Sequence, residues 1–385
     1  MSSSHPYPIA RVGLIGGGQL GRMTVSAAKR IGCTCVVLDP LENSPAGQIA
    51  TRQIIGGYHD AEKIRELAAE CDVVTFELEN IDADTLAELE AQGHQVHPSS
   101  SVLKSIQDKL VQKQFLAQHD IPTSVFEEAD EPTLEQFEAF GFPLVQKARR
   151  GGYDGRGVAV MKSPADFDNY LPVPSLIEGF VEAEKEIAVL VARSANGEVK
   201  TFPSVEMCVH PDKNVLDLLL APADISKQVQ AQAEDIAIRT IEALQGVGVF
   251  GVEMFVDNDG QVLVNEIAPR THNSGHHTIE ANITDQFEQH LRAILGLPLG
   301  STETLSPAAM VNLLGAPGES GTPVLRGIDE ALAVPGVCLH LYGKATTSPF
   351  RKMGHVTILD KDIAAARAKA IQVRDTIEIG SEDKA

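Results

Sequence analysis

The segment from 145 to 160 combines glycine and basic residues in a pattern that suits polyphosphate binding. It reads VQKARRGGYDGRGVAV and holds four glycines within seven residues, with Lys147, Arg149, Arg150 and Arg156 in or beside them. Glycine lets backbone N–H groups approach an anion closely. The segment has no GK[ST] sequence and no predicted helix after it, so it is not a Walker-type loop. We therefore predict a glycine flap (residues 149–157) between two strands, with an exposed hairpin turn as the alternative.

A second stretch, residues 251–270, carries acidic residues inside an apolar hairpin pattern. It reads GVEMFVDNDGQVLVNEIAPR. Taking Asp259–Gly260 as a two-residue turn places Glu253 directly opposite Glu266, with Cβ atoms about 5 Å apart. Two carboxylates so placed need a shared cation or proton. Mg²⁺ suits such oxygen ligands, and Asn265 adds a neutral oxygen. The alternative is an exposed hairpin face with a tolerated charge pair.

The loop after this hairpin offers donors for a planar anion. It runs from Arg270 to His277 and reads RTHNSGHH. Arg270 and Asn273 can hold a planar oxyanion through directed hydrogen bonds. A zinc site formed by His272, His276 and His277 is a weaker alternative, because no cysteine or carboxylate stands at zinc-ligand spacing.

A last basic island comprises Lys344, Arg351 and Lys352, within nine residues of an otherwise acidic chain. Three cations so close in the sequence predict a second anion site, such as one for a phosphate monoester. A solvated surface patch explains them equally well.

Composition limits the class of protein. The chain has 385 residues, a formal net charge of -21 and a pI near 4.9. That charge argues against nucleic acid or an anionic membrane as the main partner. No apolar run approaches the roughly 20 residues of a membrane span, and the start MSSSHPYPIA lacks signal-peptide features. Five cysteines form no disulfide framework. We expect a cytoplasmic protein.

The N-terminal pattern alternates strands and helices. Residues 9–15 form an apolar strand, GGGQLG (16–21) follows, and Asp39 ends the next strand. This arrangement satisfies the dinucleotide-binding pattern, although glycines at a first βα turn serve any phosphate or simply a tight turn. Glu77 and Glu79 end the third strand, where open α/β sheets bind ligands. The pattern changes near residue 100, which predicts three domains: 1–100, 101–185 and 186–385.

Taken together, these features resemble the ATP-grasp family. Several strings are similar to those of its members that carboxylate an aminoimidazole ribonucleotide in purine biosynthesis: GGGQLG (16–21), RRGGYDGRG (149–157), EGFV (178–181), NEIAPRTHNSGHHT (265–278) and RKMGH (351–355). The resemblance covers essentially the whole chain, and Arg150 departs from the small polar residue often found there. It implies an α/β ATP-grasp fold with a doubly wound N-terminal domain, a small α+β lid domain and an α+β C-terminal domain.

The resemblance also implies an activity. ATP, bicarbonate and 5-aminoimidazole ribonucleotide would give the N5-carbamate, ADP and phosphate through carboxyphosphate, with Mg²⁺ required and a homodimer as the assembly. The implied metal ligands are Glu253 and Glu266. The implied nucleotide contacts are Lys109, Lys147, Gly152, Tyr153, Asp154, Gly155, Arg156, Gly157, Val158, Glu178, Gly179, Phe180, Val181, Glu186, His210, Asn265 and Glu266.

The remaining implied roles concern the other two substrates. Arg270, His272 and Asn273 would position the carboxyphosphate. Tyr153, Asp154 and Arg156 would lie near the imidazole ring. The residues implied for binding the ribonucleotide are Gln19, Leu20, Glu77, Lys344, Arg351 and Lys352, the last three for its 5′-phosphate.

Three other functions remain open from the sequence. A formate-dependent glycinamide ribonucleotide transformylase shares the fold and also proceeds through an acyl phosphate. An NAD-dependent oxidoreductase would use Gly16 to Gly21 and Asp39, but it leaves the flap cations and the Glu253/Glu266 pair unexplained. A regulatory ATP-binding module would need neither the metal carboxylates nor the anion loop.

Overall fold

The computed structural model describes residues 6–152, 157–209 and 216–382. The described strands form four sheets: one parallel and four-stranded, one antiparallel and four-stranded, one nine-stranded and one two-stranded. Tyr153, Asp154, Gly155, Arg156 and His210 lie outside these ranges, so their predicted roles stay predictions. No helix among the described residues is both long and apolar enough to cross a membrane.

The N-terminal unit is a parallel sheet with helices on both faces. Its strand order is β3-β2-β1-β4, with every pair parallel. One face packs against α1 and the other against α2 and α3. The elements are β1 (Arg11–Ile15), α1 (Gln19–Arg30), β2 (Thr34–Asp39), β3 (Arg52–Ile55), α2 (Ala61–Glu70), β4 (Val73–Phe76) and α3 (Ala83–Ala91).

The alternating pattern of this unit also predicts a strand around residues 95–98, but this prediction is wrong. Only an isolated bridge joins Val74 to Val96 there, in which the His97 N–H donates to the Val74 carbonyl at 2.9 Å. Pro98 comes next, and because proline has no backbone N–H it cannot extend the ladder.

The middle of the chain forms a pair of helices and a small antiparallel sheet. The sheet has the order β5-β8-β6-β7 and packs on a core that includes Phe137 and Leu144. Its elements are α4 (Ser100–Gln107), α5 (Lys109–Gln118), β5 (Phe126–Ala129), α6 (Leu134–Phe140), β6 (Leu144–Ala148), β7 (Val158–Met161), a 3-10 helix (Pro164–Asn169) and β8 (Ser175–Gly179). The two strands predicted beside the glycine flap, β6 and β7, are confirmed as an antiparallel pair.

The rest of the chain forms the nine-stranded sheet, in the order β14-β13-β9-β11-β12-β15-β18-β17, with β10 paired to β9. Its first part comprises β9 (Ala183–Arg193), β10 (Val199–Thr201), β11 (Val205–Val209), β12 (Leu216–Ala221), α7 (Lys227–Leu244), β13 (Gly248–Asp257), β14 (Val262–Ala268), a 3-10 helix (Asn273–Gly275), α8 (Thr278–Ala281) and α9 (Gln286–Ile294).

The C-terminal part of the chain adds three strands to that sheet and a separate two-stranded ribbon of β16 and β19. These elements are β15 (Ala308–Leu314), β16 (Pro323–Arg326), α10 (Ile328–Leu332), β17 (Val337–Leu341), β18 (Lys352–Leu359), α11 (Ile363–Thr376) and β19 (Glu378–Ser381). The boundaries 1–100, 101–185 and 186–385 stay predictions.

Helix α7 shows how the sequence sets one of these elements. Ser226 caps its start by accepting a hydrogen bond from the Val229 N–H at 3.2 Å, which satisfies one of the free donors of the first turn. Apolar residues at helical spacing, among them Ala233, Ile236 and Ile241, are fully buried against the sheet. The apolar spacing therefore decides which face of α7 meets the core.

The hairpin of β13 and β14, here called the carboxylate hairpin, differs from its predicted turn but keeps the predicted pairing. The Asp257 N–H donates to the Gln261 carbonyl at 3.0 Å, so the loop has three residues and ends in Gly260 at φ +76°. A bulge between Glu253 and Met254 then shifts the register by one. The two deviations cancel, and Glu253 lies opposite Glu266 as predicted.

Candidate active site

Two lysines from the middle of the chain meet the carboxylate hairpin. Lys109 is the first residue of α5, and its Nζ lies 2.5 Å from the Glu266 Oε1. Lys147 lies on β6, and its Nζ donates to the Asn265 Oδ1 at 2.8 Å. Because these lysines are more than 100 positions away in the sequence, only the packing of the small sheet on the hairpin brings them here. The contacts agree with the predicted grouping of all four residues at one site.

Behind these lysines is a buried ion cluster that the sequence reasoning only partly found. Glu178 lies near the end of β8 and is 3% exposed. Its Oε1 lies 3.1 Å from the Lys147 Nζ and its Oε2 lies 3.0 Å from the Lys113 Nζ. Lys113 was missed. It stands four residues after Lys109 on α5, so the helical period places both lysines on one face of the helix.

Glu253 makes a different contact from its partner in the pair. The His272 Nε2 lies 3.1 Å from the Glu253 Oε1. The His272 Nδ1 accepts from the Ser274 N–H at 3.3 Å, so the ring proton is on Nε2 and points at Glu253. Burial opposes ionisation of Glu253, but the hydrogen bond from His272 and the positive charges around the carboxylate, those of Lys109 and Lys352 among them, together outweigh it and lower the pKa of Glu253. Burial and the Glu253 charge together raise the pKa of Glu186, which places Glu186 close to the same site.

The donor set of this site suits magnesium better than zinc. Glu253 and Glu266 face each other on the hairpin, and Asn265 adds an amide oxygen beside them. Within the described ranges, no group of three or more His, Cys, Asp or Glu is arranged to hold a metal ion. The oxygen donors of Glu253, Glu266 and Asn265 are of the kind that Mg²⁺ uses, since it takes one or two carboxylates and completes its coordination with phosphate and water.

The predicted anion donors Arg270 and Asn273 each contact a side chain elsewhere in the protein through some of their polar atoms. The Arg270 Nε lies 2.8 Å from the Glu79 Oε1, which joins the hairpin to the N-terminal unit. The Asn273 side-chain amide exchanges two hydrogen bonds with that of Asn312, at 2.9 and 3.0 Å. Asn312 was not predicted. It lies on β15, and no local pattern distinguishes it from other strand residues.

The N-terminal glycine turn binds carboxylates of its own chain. The Glu77 carboxylate accepts hydrogen bonds from the Gly18 and Gly21 N–H groups, the second at 2.5 Å. Asp39 accepts from the Gly17 N–H at 2.7 Å. These bonds use the donors that a dinucleotide would need, and they disfavour the oxidoreductase alternative. Burial raises the pKa of Glu77 to about 7, against the effect of the two N–H groups. Gln19 and Leu20 begin α1 beside this carboxylate.

Two of the predicted flap cations, Arg149 and Arg150, lie beside carboxylates of the chain itself. Arg149 forms a bidentate ion pair with Asp108 and further pairs with Glu128 and Asp130, all at 2.9 Å. Arg150 is 64% exposed, and its Nε lies 3.5 Å from the same Asp108. Because Asp108 caps α5, Arg149 fixes the helix that carries Lys109. Arg149 is thus held by carboxylates of its own chain, and the phosphate-binding role of the flap as a whole stays a prediction.

The hinge segment from Glu178 to Val181 comprises the last two residues of β8 and the two that follow. The Gly179 N–H donates to the Val125 carbonyl at 2.9 Å and the Phe180 N–H to the Pro143 carbonyl at 3.3 Å. The Phe180 side chain is 41% exposed. Backbone bonds thus hold the segment in place while an apolar ring faces outward.

The C-terminal basic island lies on and before β18. The Lys344 Nζ donates to the Lys352 carbonyl at 2.7 Å, and the Arg351 Nη1 donates to the Thr346 carbonyl at 2.8 Å. Beneath it, the Tyr342 hydroxyl lies 2.9 Å from the His355 Nδ1, and both residues are buried. Lys344, Arg351 and Lys352 therefore belong to the hairpin of β17 and β18, which the buried contact between Tyr342 and His355 stabilises.

Three known domain families match the chain in succession. They are the ribonucleotide synthetase preATP-grasp domain over residues 9–107, the ATP-grasp domain over residues 114–287 and the phosphoribosylaminoimidazole carboxylase C-terminal domain over residues 308–369. The N5-carboxyaminoimidazole ribonucleotide synthase of Synechococcus elongatus is 43% identical over 359 residues, which span 91% of this chain and 90% of that protein. The chain belongs to the N5-carboxyaminoimidazole ribonucleotide synthase family. This identification confirms the resemblance and the ATP-grasp fold.

Structures of other synthases agree with the assignment. The Thermotoga maritima synthetase is 48% identical in sequence. The structural match covers 97% of this chain and 100% of the Thermotoga chain, with a TM-score of 0.91. The Aspergillus clavatus synthase, crystallised with ADP and 5-aminoimidazole ribonucleotide, is 35% identical over 95% of this chain and 98% of its own, with a TM-score of 0.87. The phosphoribosylaminoimidazole carboxylase of Schizosaccharomyces pombe is 41% identical over 95% of this chain and 68% of that protein. The chain is thus an ATP-dependent ligase, the synthase of N5-carboxyaminoimidazole ribonucleotide in purine biosynthesis.

Proposed function

We propose that the carboxylate hairpin and the lysines facing it are the catalytic centre of this synthase. The observation that carries the proposal is the pair of contacts from Lys109 to Glu266 and from Lys147 to Asn265. Both lysines come from the unit that bears the glycine flap, and both meet the hairpin that bears the carboxylates. A polyphosphate placed between them would have cations on one side and a metal-binding edge on the other.

ATP would lie between the small sheet and the nine-stranded sheet. Lys109 and Lys147 would contact its phosphates, and the flap from Gly152 to Val158 would close over them. The hinge from Glu178 to Val181 would hold adenine, with Phe180 as the exposed apolar surface. Glu186, whose raised pKa reflects burial near Glu253, would take the ribose hydroxyls. His210 would be a further nucleotide contact.

Glu253, Glu266 and Asn265 would hold Mg²⁺. The ion would neutralise charge on the phosphates and orient the terminal one for transfer. His272 counters Glu253 and Lys109 counters Glu266, so each carboxylate has one positive or hydrogen-bonding neighbour. These residues therefore supply the ligands without leaving two bare charges face to face.

Bicarbonate would attack the terminal phosphate in line, giving carboxyphosphate and ADP. Arg270, His272 and Asn273 would hold this anion with donors placed before the reaction begins. Glu79 and Asn312 keep Arg270 and Asn273 in place. Closure of the flap would keep water from hydrolysing the intermediate.

The aminoimidazole ribonucleotide would lie between the glycine turn and the C-terminal hairpin. Gln19, Leu20 and Glu77 would face its ring, together with Tyr153, Asp154 and Arg156 from the flap. Lys344, Arg351 and Lys352 would bind its 5′-phosphate. A homodimer in the cytoplasm is the assembly and the location that we expect.

The decisive test is ADP release by the purified full-length chain under defined substrate pairs. Release should require both bicarbonate and 5-aminoimidazole ribonucleotide at saturating MgATP. Formate with glycinamide ribonucleotide should give only background, and NADH should not bind. Turnover with the formate pair would favour the transformylase alternative, and ATP binding without any turnover would favour the regulatory module.

A further inference from the structure

Lys113 is a buried cation with no role in the site described above. Its side chain is 3% exposed. Its Nζ donates to the Thr123 Oγ1 at 2.6 Å and the Ser124 Oγ at 3.0 Å, and it lies 3.0 Å from the Glu178 Oε2. A longer contact of 3.4 Å joins the same Nζ to the Val264 carbonyl. An ammonium group has three N–H donors, and these four partners occupy them. Lys113 is therefore fixed in place and has no donor left for a ligand.

Glu178 is shared between this fixed lysine and a second, less constrained one. Its Oε2 accepts from Ser124 at 2.7 Å and faces Lys113, while its Oε1 faces the Lys147 Nζ. Burial disfavours the charged carboxylate, but the two lysines more than compensate and lower the pKa of Glu178 to about 2. Burial lowers the pKa of Lys113 to about 8, so both groups are charged at neutral pH.

Lys147 differs from Lys113 in having a partner on the catalytic side. Its Nζ divides its contacts between Glu178 and the Asn265 Oδ1 on the carboxylate hairpin. Counting Lys113, Lys147 and Glu178 together, the cluster carries one net positive charge. Since Lys113 already compensates Glu178, that surplus charge resides on Lys147, next to the place proposed for the phosphates.

We propose that Lys113 is a positioning residue for ATP: it holds the Glu178 carboxylate neutralised, so that Lys147 can leave it and bind the nucleotide phosphates. The inference rests on the proposed function, because it takes Lys147 as a phosphate ligand. Without Lys113, the buried Glu178 carboxylate would have Lys147 as its remaining cation. Lys147 would then be held in a closed pair, since leaving would strand an uncompensated buried charge.

The test is a double-mutant cycle on ADP and ATP affinity, measured by calorimetry and by the KM for ATP. Lys113→Met should weaken binding by about tenfold. Lys113→Met combined with Glu178→Gln should bind within about twofold of Glu178→Gln alone, because no carboxylate remains to retain Lys147. Lys185→Met, which breaks the separate Lys185–Glu206 pair (2.8 Å), should leave affinity unchanged.

The outcomes separate this inference from the function on which it rests. If Lys113→Met weakens binding by the same factor in the wild-type and in the Glu178→Gln background, Lys113 acts through packing, and unchanged affinity in Lys113→Met would also overturn the inference. Should Lys113→Met fail to fold, Lys113→Gln, which keeps hydrogen bonding but loses the charge, takes its place with the same expectation. Lys147→Met should weaken ATP binding in every background. If it does not, Lys147 is not a phosphate ligand and the proposed site itself is wrong.

Discussion

Glu253 lies directly opposite Glu266 across β13 and β14, and the bulge beside this pair leaves Asn265 without an opposing residue. A regular ladder would place neighbouring side chains on opposite faces of the sheet. Here Asn265 and Glu266 both receive lysines from the same neighbouring unit. The bulge thus adds an amide oxygen to the carboxylate pair, which is the oxygen-rich arrangement that a shared Mg²⁺ requires.

The carboxylate pair predicts the effect of Glu266→Gln. The amide keeps the shape of the side chain but removes the charge that would bind Mg²⁺ and that Lys109 contacts. We expect ADP formation to fall by at least about a thousandfold, with an unchanged far-ultraviolet circular dichroism spectrum. Glu242→Gln, at an exposed position near the end of α7, should keep full activity. Near-normal turnover of Glu266→Gln would show that the metal assignment is wrong.

The basic island predicts a selective effect of Lys344→Ala. If this island binds the 5′-phosphate, the KM for the ribonucleotide should rise by about tenfold or more while the KM for ATP stays unchanged. Steady-state kinetics with each substrate varied in turn measures the difference. The control is Lys361→Ala, at an exposed lysine shortly after the end of β18. A rise confined to ATP would contradict the second anion site.

The contacts of Arg149 predict a loss of stability from Arg149→Met. The substitution removes the bidentate partner of Asp108, whose side chain is 5% exposed. We expect the free energy of unfolding to fall by about 1–3 kcal/mol in urea titrations. Arg239→Met breaks an exposed pair with Asp235 on α7 and should cost less than about 0.5 kcal/mol. Equal effects in the two variants would mean that the Asp108 pair does not stabilise the fold.

His290 predicts how stability depends on pH. It is buried between the Thr75 hydroxyl and the Val249 N–H, and burial lowers its pKa to about 3. The unfolded chain takes up this proton near pH 6.5 and the folded chain does not, so stability falls as the pH drops from 6.5 towards 3. Between pH 6.5 and pH 5 this one group accounts for about 2 kcal/mol.

Replacing the imidazole tests this linkage. In His290→Gln, the difference in unfolding free energy between pH 7 and pH 5 should shrink by about 2 kcal/mol. Thr75→Val removes the hydroxyl partner but leaves the imidazole buried, so it should retain the full pH dependence. An unchanged difference in His290→Gln would assign the acid sensitivity to other groups, such as the buried His277, whose pKa is lowered to about 4.

The sequence predicted helices and strands well where one face of the element is buried and the other is exposed. The residue pattern predicts a helix at 60–69, which is observed as Ala61–Glu70 with Asp60 as its cap, and a strand at 337–341, which matches β17. The prediction from sequence failed where two helices follow each other without a loop between them. Asp108 ends α4 and caps α5, and because one residue serves both helices, the sequence shows no loop between them and α4 was missed.

For the carboxylate pair, the predicted pairing is confirmed, although the predicted two-residue turn is not observed. Asp259–Gly260 indicates a hairpin, but the sequence does not distinguish a two-residue from a three-residue loop. The register at Glu253 depends on that choice and on the bulge together. A bulge relieves a conflict between a strand and its neighbours, so a local pattern cannot predict it.

By itself, the sequence determined many of the strands and helices, the two acidic residues of the hairpin and the motifs that place the chain in its family, because these signals come from neighbouring residues. Only the tertiary structure decided which charges meet. It assigned Lys113 and Lys147 to Glu178, Arg149 to Asp108 and the N-terminal glycine N–H groups to Glu77. Ion pairs form between segments far apart in the chain, and whichever carboxylate packing brings nearest takes the cation. Their partners are therefore fixed by packing, which residue spacing does not encode.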